Sequence, residues 1–157
     1  MYETYRHHKF QHSPYMKKSI RTKELKSCIR LAIRALKHWK FDTIAFRGIS
    51  GALLSAPIAL ALNKNMIIVR KPSDSSHSVT QYHHKVEGNA NARSYIIVDD
   101  FVSSGTTMET IQEEVKKFAP KAKFIGLLEV HRITEAKLKK YRGKKYPLTK
   151  HLGVTVG

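Results

Sequence analysis

The sequence contains a single cysteine and no long apolar segment. Cys28 has no second cysteine with which to form an internal disulfide, so a disulfide-stabilised scaffold is excluded and we expect a cytoplasmic protein in a reducing compartment. The first residues, MYETYRHHKFQHSPYMKK, lack the apolar core of a signal peptide. The longest apolar run, Ala52 to Leu62, contains Ser55 and Pro57 and is too short to cross a bilayer. We therefore expect no membrane span.

Acidic residues are also scarce. The chain has 12 Asp and Glu against 29 Lys and Arg, which gives a net charge of +17. The excess lies at the ends: residues 1–40 carry 11 basic and 2 acidic residues, residues 131–157 carry 8 and 1, and residues 41–130 carry 10 and 9. This charge predicts attraction to anions such as nucleotides, nucleic acid or acidic lipid surfaces.

The chain has the size and composition of one domain. Its 157 residues are 41% hydrophobic, which is enough for a single buried core. It contains no internal repeat, low-complexity tract or Gly/Ser/Pro-rich linker. We predict one domain over residues 1–157, with a core at about 42–130 between two basic terminal segments, 1–40 and 131–157.

Helical and strand-like segments alternate along the chain. Apolar residues at spacings of three and four predict a helix from Thr22 to Lys40. Short apolar runs predict four strands, and two further helical segments lie between them: strands 42–46, 66–70, 94–99 and 123–130, and helices 52–63 and about 108–118. Continuous apolar strands that alternate with helices predict the α/β class, with a mostly parallel sheet flanked by helices.

Three polar segments follow predicted strands. Two are glycine-bearing, RGISG (residues 47–51) and SSGTT (103–107), and the third is the long segment 71–93. Ligands of open α/β sheets bind beyond the carboxyl ends of the strands, where these segments fall. A loop as long as the third is usually a functional lid or a disordered connection.

The segment YIIVDDFVSSGTT, residues 95–107, combines groups that suit a sugar phosphate. Ser103, Ser104, Gly105, Thr106 and Thr107 can surround a phosphate with hydroxyls and backbone N–H groups at the start of a helix. Carboxylates at the strand end, Asp99 and Asp100, can accept hydrogen bonds from ribose hydroxyls or bind Mg²⁺. The alternative is a polar turn that only caps the next helix.

This segment resembles the signature of the type I phosphoribosyltransferases, which bind the pyrophosphate ester of ribose 5-phosphate (PRPP). Four apolar positions, two acids and a Ser/Thr/Gly loop match it, although Phe101, Ser104 and Thr106 depart mildly from the usual residues. The resemblance implies that Asp99 and Asp100 hold the ribose hydroxyls with Mg²⁺. It also implies that the 5-phosphate lies in the loop 103–107 and PRPP is the co-substrate of a transfer to a nitrogenous base.

A second segment, AFRGISGALLSAPIALAL, resembles the pyrophosphate loop and following helix of the same family. The resemblance places Arg47, Gly48, Ile49, Ser50 and Gly51 in this loop. VRKPSDSSHS resembles the third strand and the base of a flexible lid, so Lys71, in preference to Arg70, is expected beside the leaving pyrophosphate. Arg47, Lys71, Asp99 and Asp100 are therefore the predicted catalytic residues, with Asp100 the better candidate for removing a proton from the base.

The predicted lid, about Ser73 to Glu87, carries side chains that could close over a substrate. They are Ser78, Tyr82, His83 and His84. The alternative is that each is a solvated loop residue. The histidines do not form a four-ligand pattern, and we assign no zinc.

The terminal segments are the candidates for binding the acceptor base. The resemblance implies a small variable hood built from them, with Tyr141 or Tyr146 stacking on the base and a lysine beside it; a solvated basic tail is the alternative. We expect a purine as acceptor, but Lys85 and Gly88 keep orotate or another pyrimidine open. Members of this size generally form homodimers.

The competing function is a PRPP-responsive regulator that binds nucleic acid on the same fold. Opposite the apolar stripe of the first long helix, basic residues recur at spacings of three and four. They are Lys23, Lys26, Arg30, Arg34 and Lys37. Such a stripe suits a phosphate backbone, although a charged outer helix face is commonly just solvated.

Overall fold

A computed structural model describes residues 16–72 and 85–151 and the backbone of a final strand, 154–156. The helices are α1 Lys17–Ile20, α2 Thr22–Leu36, α3 Gly48–Leu62, α4 Thr106–Phe118 and α5 Glu135–Lys140. The strands are β1 Thr43–Arg47, β2 Asn65–Val69, β3 Val86–Gly88, β4 Ser94–Asp99, β5 Lys123–Glu129, β6 Leu148–His151 and β7 Val154–Val156. A short 3₁₀ turn, Val130–Arg132, follows β5.

The strands form one sheet in the order β3-β2-β1-β4-β5-β6-β7. The four central strands, β2, β1, β4 and β5, run parallel, whereas β3, β6 and β7 pair antiparallel. The predicted α/β class and mostly parallel sheet are therefore confirmed. The chain passes from β1 to β2 on one side and later to β4 on the other, so the strand order reverses between β1 and β4, where open sheets of this type bind ligands.

Helices cover both faces of the sheet. Because side chains of a strand alternate between faces, Ile96 and Val98 of β4 face one core and Ile97 faces the other. On the first side Ala32 and Leu36 of α2 pack with α3. On the second side α4 contributes the buried residues Met108, Ile111 and Val115. These two apolar layers hold the carboxyl ends of β1 and β4 in place.

The structure corrects the predicted turn at Arg47–Gly51. Arg47 ends β1 and Gly48 already begins α3, so the strand passes directly into the helix. Gly48 makes this possible because its φ of +74° lies in the left-handed region, where a residue without a side chain reverses the chain without strain. The residues predicted to form a loop are therefore the first turn of a helix.

The other differences lie at the sheet edges. Of the predicted lid, residues 73–84 lie outside the described residues, including Ser78, Tyr82, His83 and His84; the end of the segment forms β3. The salt bridge from Arg70 Nη2 to Glu87 Oε2, 2.6 Å long, joins the ends of β2 and β3.

Within residues 131–151, α5 packs on α2 and β6 extends the sheet. In the described parts of the chain, no helix has both the length and the apolar character needed to cross a bilayer.

Candidate active site

Three chain segments meet at the carboxyl edge of the parallel strands. β1 ends at Arg47, β4 ends at Asp99, and Lys71 follows β2 by two residues. α3 begins in close contact with both inner strands: a methyl group on Gly51 would lie 3.3 Å from Cβ of Phe46 and 3.8 Å from the carbonyl oxygen of Val98. The sheet therefore brings together residues that are far apart in the sequence.

Asp99 and Asp100 form a buried carboxylate pair at this edge. Their relative exposures are 8% and 6%. The backbone N–H of Asp100 donates to Asp99 Oδ1 at 2.9 Å, and the N–H of Phe101 donates to Asp100 Oδ1 at 2.9 Å. Buried carboxylates need such partners, because an ionised group loses its hydration on burial. Each carboxylate is thus held in place by a backbone donor.

The acid–base behaviour of Asp99 follows from this environment. Burial raises its pKa to about 7, and the hydrogen bond and negative charge of Asp100 add to the rise. The N–H of Asp100 and the charge of Lys71 act in the opposite direction. Two adjacent carboxylates with little solvent favour a proton or a cation between them.

Lys71 lies across the start of α3. A methyl group placed on Gly48 would be 2.9 Å from Lys71 Cε and 3.1 Å from its Nζ. The same ammonium group is near enough to Asp99 to lower the pKa of that carboxyl. Lys71 therefore connects the start of α3 with the carboxylate pair and adds positive charge where all three segments meet.

Arg47 adds a buried donor to the start of α3. Its Nε is buried and has no hydrogen-bond acceptor among the described residues. A buried N–H without a partner is costly, so this group is suited to an acceptor supplied by a ligand. Ile49 and Ser50 follow in the first turn of α3, with Ile49 73% exposed.

The loop after Asp100 leads into α4 with its polar groups turned outward. Ser103, Ser104 and Thr106 are exposed, while Gly105 is buried with a φ of +81°. Ser104 Oγ and Thr106 Oγ1 lie 3.0 Å apart, and the N–H of Thr106 points to Ser104 Oγ at 3.4 Å. Thr107 lies in the first turn of α4, whose free N–H groups carry the positive end of the helix dipole. This geometry can hold a phosphate.

A family model for the phosphoribosyl transferase domain matches residues 18–154, most of the chain. The chain belongs to this family. The matched region includes the carboxylate pair, both glycine-bearing segments and the strands that position them. The resemblance seen in the motifs is therefore confirmed at the level of the whole fold.

Relatives of this phosphoribosyltransferase-family chain include enzymes named for adenine. It is 29% identical over 103 residues to the adenine phosphoribosyltransferase of Kosmotoga olearia and 27% identical over 103 residues to that of Mycoplasma mycoides. These alignments cover 59% of this chain, and 61% and 59% of the relatives. The chain thus matches about three fifths of the length of these curated relatives.

Solved structures show the same fold. The adenine phosphoribosyltransferase of Thermoanaerobacter pseudethanolicus superposes with a TM-score of 0.51 at 24% identity, over 67% of this chain and 66% of that one. The orotate phosphoribosyltransferase of Francisella tularensis gives a TM-score of 0.52 at 18% identity, over 69% and 52%. At these identities the likeness concerns the fold alone.

Sequence reasoning missed Glu129, which supports the site from β5. Its Oε2 accepts the N–H of Val102 at 3.1 Å and the Nε of Arg132 at 2.9 Å. Its Oε1 accepts the hydroxyl of Thr149 at 3.3 Å. Glu129 pairs in register with Asp99 across the parallel strands. An acid at the end of an apolar strand was the available signal, but its contacts depend on which strands are neighbours.

His131 is a second residue that sequence reasoning missed. Its backbone N–H donates to the carbonyl of Asp100 at 3.0 Å, and its Nε2 is buried without a hydrogen-bond partner among the described residues. Burial lowers the pKa of His131, the charge of Asp100 opposes this shift, and Lys18 adds to it. The imidazole therefore favours its neutral form beside the site.

Tyr141 and Tyr146 are not among the residues gathered at this edge. Their rings contact each other with centroids 5.6 Å apart and line a cleft against the end of α2. That cleft shares no lining residue with the aspartate pair or the loop 103–107. The stacking role expected for one of these tyrosines stays a prediction.

Proposed function

We propose that this protein is a Mg²⁺-dependent phosphoribosyltransferase that moves the phosphoribosyl group of PRPP to a purine base and releases pyrophosphate. The observation that carries the proposal is that a buried carboxylate pair, Lys71 and two segments suited to phosphate, the start of α3 and the loop 103–107, meet where the strand order reverses between β1 and β4. Family membership supports it. The carboxylates suit the ribose hydroxyls of PRPP, and Lys71 and the two segments suit its phosphate and pyrophosphate.

Different residues bind different parts of PRPP. Asp99 and Asp100 accept hydrogen bonds from the ribose hydroxyls, and the loop 103–107 with the start of α4 holds the 5-phosphate. The pyrophosphate lies against the first turn of α3, where Gly48 leaves room for the Lys71 side chain and the Nε of Arg47 finds an acceptor. Lys71 reaches the same place from β2.

In the reaction a nitrogen of the base forms a bond to the anomeric carbon while the bond from that carbon to the pyrophosphate oxygen breaks. The bonding electrons leave with the pyrophosphate, and the ring passes through an oxocarbenium-like state. Lys71, Arg47 and the N–H groups of α3 stabilise the charge that develops on the leaving group. The proton lost from the base nitrogen passes to solvent or to a site carboxylate, for which Asp100 is the candidate.

Magnesium fits the residues that are present. In the described part of the chain no group of three or more His, Cys, Asp and Glu is placed to enclose a metal. Mg²⁺ characteristically takes one or two protein carboxylates and completes its shell with phosphate oxygens and water. Asp99 and Asp100 would supply those carboxylates, and the ion would withdraw charge from the pyrophosphate when bound.

Adenine is the first acceptor to test, because the relatives at 27% and 29% identity carry that name. Phe101 directly follows the aspartate pair and is 45% exposed, so it offers an apolar face to a planar ring. Orotate or another pyrimidine is the alternative acceptor. A homodimer and a cytoplasmic location complete the proposal.

The decisive experiment is pyrophosphate release from PRPP and Mg²⁺ with adenine, other purines, orotate and nicotinamide. Asp99→Asn/Asp100→Asn is the loss-of-function control, and Lys116→Gln, on the exposed face of α4, is the neutral control. We expect base-dependent release that the double variant loses. Absence of release with every base, while PRPP still binds, would contradict the transferase.

The second candidate is a PRPP-responsive regulator that binds nucleic acid. The observation that favours it is the basic stripe of α2, all five of whose members are exposed: Lys23, Lys26, Arg30, Arg34 and Lys37. This function requires PRPP to change nucleic-acid affinity. An affinity that is the same with and without saturating PRPP would contradict the regulator and leave the transferase.

A further inference from the structure

A cleft of about 260 Å³ lies between the end of α2 and a segment that consists of the end of α5 and the residues that follow it. One wall is formed by Arg34, Lys37 and His38, and the other by residues from Leu138 to Tyr146. The α2 wall lies shortly before β1 begins, whereas the candidate active site lies where β1 ends. No lining residue is shared between the two, so this is a separate site.

The cleft is cationic. Five lysines and arginines line it, and no acidic residue does: Arg34, Lys37, Lys139, Arg142 and Lys144. Glu135 compensates one of them, because both of its oxygens accept from Arg34 Nη1 at 2.8 Å. None of the salt bridges among the described residues involves the other four.

The helix ends at the cleft do not cancel this charge. α2 and α5 both point their carboxyl ends toward it, and each such end carries roughly half a negative charge. Four uncompensated cations exceed the roughly one negative charge from two helix ends. The cleft therefore attracts polyanions.

Aromatic groups give the same cleft a rigid apolar side. Tyr141 lines it and packs edge-on against the buried Tyr146. The indole N–H of Trp39 donates to the carbonyl of Tyr146 at 2.8 Å, which fixes this wall to the end of α2. A tight turn, in which the N–H of Lys144 donates to the carbonyl of Tyr141 at 2.9 Å, presents the basic residues. The wall is thus organised before any ligand binds.

The charge continues out of the cleft along α2. Arg34 and Lys37 belong both to the cleft and to the exposed stripe that runs back to Lys23. At the rise of an α-helix, the stretch from Lys23 to Lys37 is about 21 Å long. A single small anion would use only the cleft, whereas a chain of phosphates would use the whole row.

We propose that this cleft and the adjoining stripe of α2 bind single-stranded nucleic acid, with phosphates along the basic residues and one base against Tyr141. The combination of a basic track with an aromatic platform is the arrangement by which proteins bind single strands without reading sequence. The site shares no residue with the aspartate pair, Lys71 or the loop 103–107.

The test measures binding of a labelled single strand of about 12 nucleotides, as RNA and as DNA, over salt concentrations from about 50 to 200 mM. About seven phosphate contacts, one for each basic residue of the cleft and stripe that Glu135 does not compensate, predict a slope of log affinity against log salt of about −5, so affinity should fall about a thousandfold over this range. A duplex of the same length and a free mononucleotide serve as competitors. We expect both to compete less well than the strand.

Two variants localise the binding. Lys139→Gln/Arg142→Gln/Lys144→Gln removes three exposed cations of the cleft and should reduce the slope to about −2.8. Tyr141→Leu keeps an apolar contact with Tyr146, removes the platform and should weaken binding about fivefold or more. Pyrophosphate release should be unchanged in the triple variant, which separates this proposal from the proposed function.

The matched control is Lys116→Gln/Lys121→Gln/Lys123→Gln, which removes the same charge from exposed positions on α4 and the segment after it. Equal weakening by both triple variants would mean that only the net charge of +17 attracts the strand, and would overturn the site. Equal competition by the mononucleotide, stronger binding of an acidic polypeptide, or no binding at about 50 mM salt would also overturn it.

Discussion

Replacing Asp99 by asparagine is expected to stabilise the folded protein above neutral pH while it weakens PRPP binding. Burial and the neighbouring Asp100 raise the pKa of Asp99 from 3.8 to about 7 in the folded state. The folded protein therefore binds more protons than the unfolded chain between these two values. By linkage, the free energy of unfolding falls as pH rises from about 4 to about 7, and the contribution is lost above that.

The size of the effect follows from the pKa difference. One pKa unit corresponds to about 1.4 kcal/mol, so between about pH 5 and about pH 8.5 the carboxylate lowers the free energy of unfolding by at most about 3 kcal/mol. The asparagine side chain of the variant carries no charge and does not undergo this loss. His131, whose pKa is lowered by burial, changes stability in the opposite direction but is present in both proteins, so the comparison removes most of its contribution.

The assay is urea unfolding of wild type and Asp99→Asn at about pH 5 and about pH 8.5, without Mg²⁺ or PRPP. We expect the free energy of unfolding of the variant, relative to that of wild type, to be up to about 3 kcal/mol larger at the higher pH than at the lower pH. PRPP affinity, measured on the same samples with Mg²⁺, should fall. If the stability difference is the same at both pH values within about 0.5 kcal/mol, folding does not raise the pKa of Asp99.

Three further predictions concern the parts around the pair. Gly48→Ala should cost about 1–2 kcal/mol in backbone strain and should also displace Lys71. The control is Gly143→Ala, at φ +75°, where no atom lies within 4 Å of the new methyl group and only the backbone strain is expected. Equal loss of catalytic activity in both variants would contradict the contact between Gly48 and Lys71. Lys71→Met should lower kcat for pyrophosphate release about a hundredfold, measured by steady-state kinetics. Because the charge of Lys71 lowers the pKa of the buried Asp99, thermal unfolding should also show a loss of stability above neutral pH. Glu129→Ala leaves the N–H of Val102 unpaired and should raise the KM for PRPP, while an unchanged KM would mean that the loop 101–105 holds its shape without it.

Much of the site was predictable because its residues lie next to each other in the sequence. The strand 94–99, the two acids and the helix after Gly105 form one continuous segment, and its predicted strand bounds match the structure. The other parallel strands were predicted to within about one residue, since continuous apolar runs reveal buried strands directly. Family membership then followed from two such segments in order.

The turn at Arg47–Gly51 was not predictable from composition. Glycine favours turns, but here one left-handed residue, Gly48, is enough to join β1 to α3, and Gly51 serves close packing inside the helix. The antiparallel edge strands were also missed. β3 and β7 are three residues long, too short for an alternation pattern to appear.

The class of the fold, the family and the residues suited to sugar phosphate could be read from the sequence, because these depend on local pattern and on residue chemistry. Which distant groups meet became clear from the three-dimensional arrangement of the strands and helices. This arrangement set Lys71 over Gly48, Glu129 against the N–H of Val102, and the tyrosines of the carboxyl-terminal segment beside the end of α2. Such contacts depend on strand order and on which face each element covers, and neither is written in the spacing of residues along the chain.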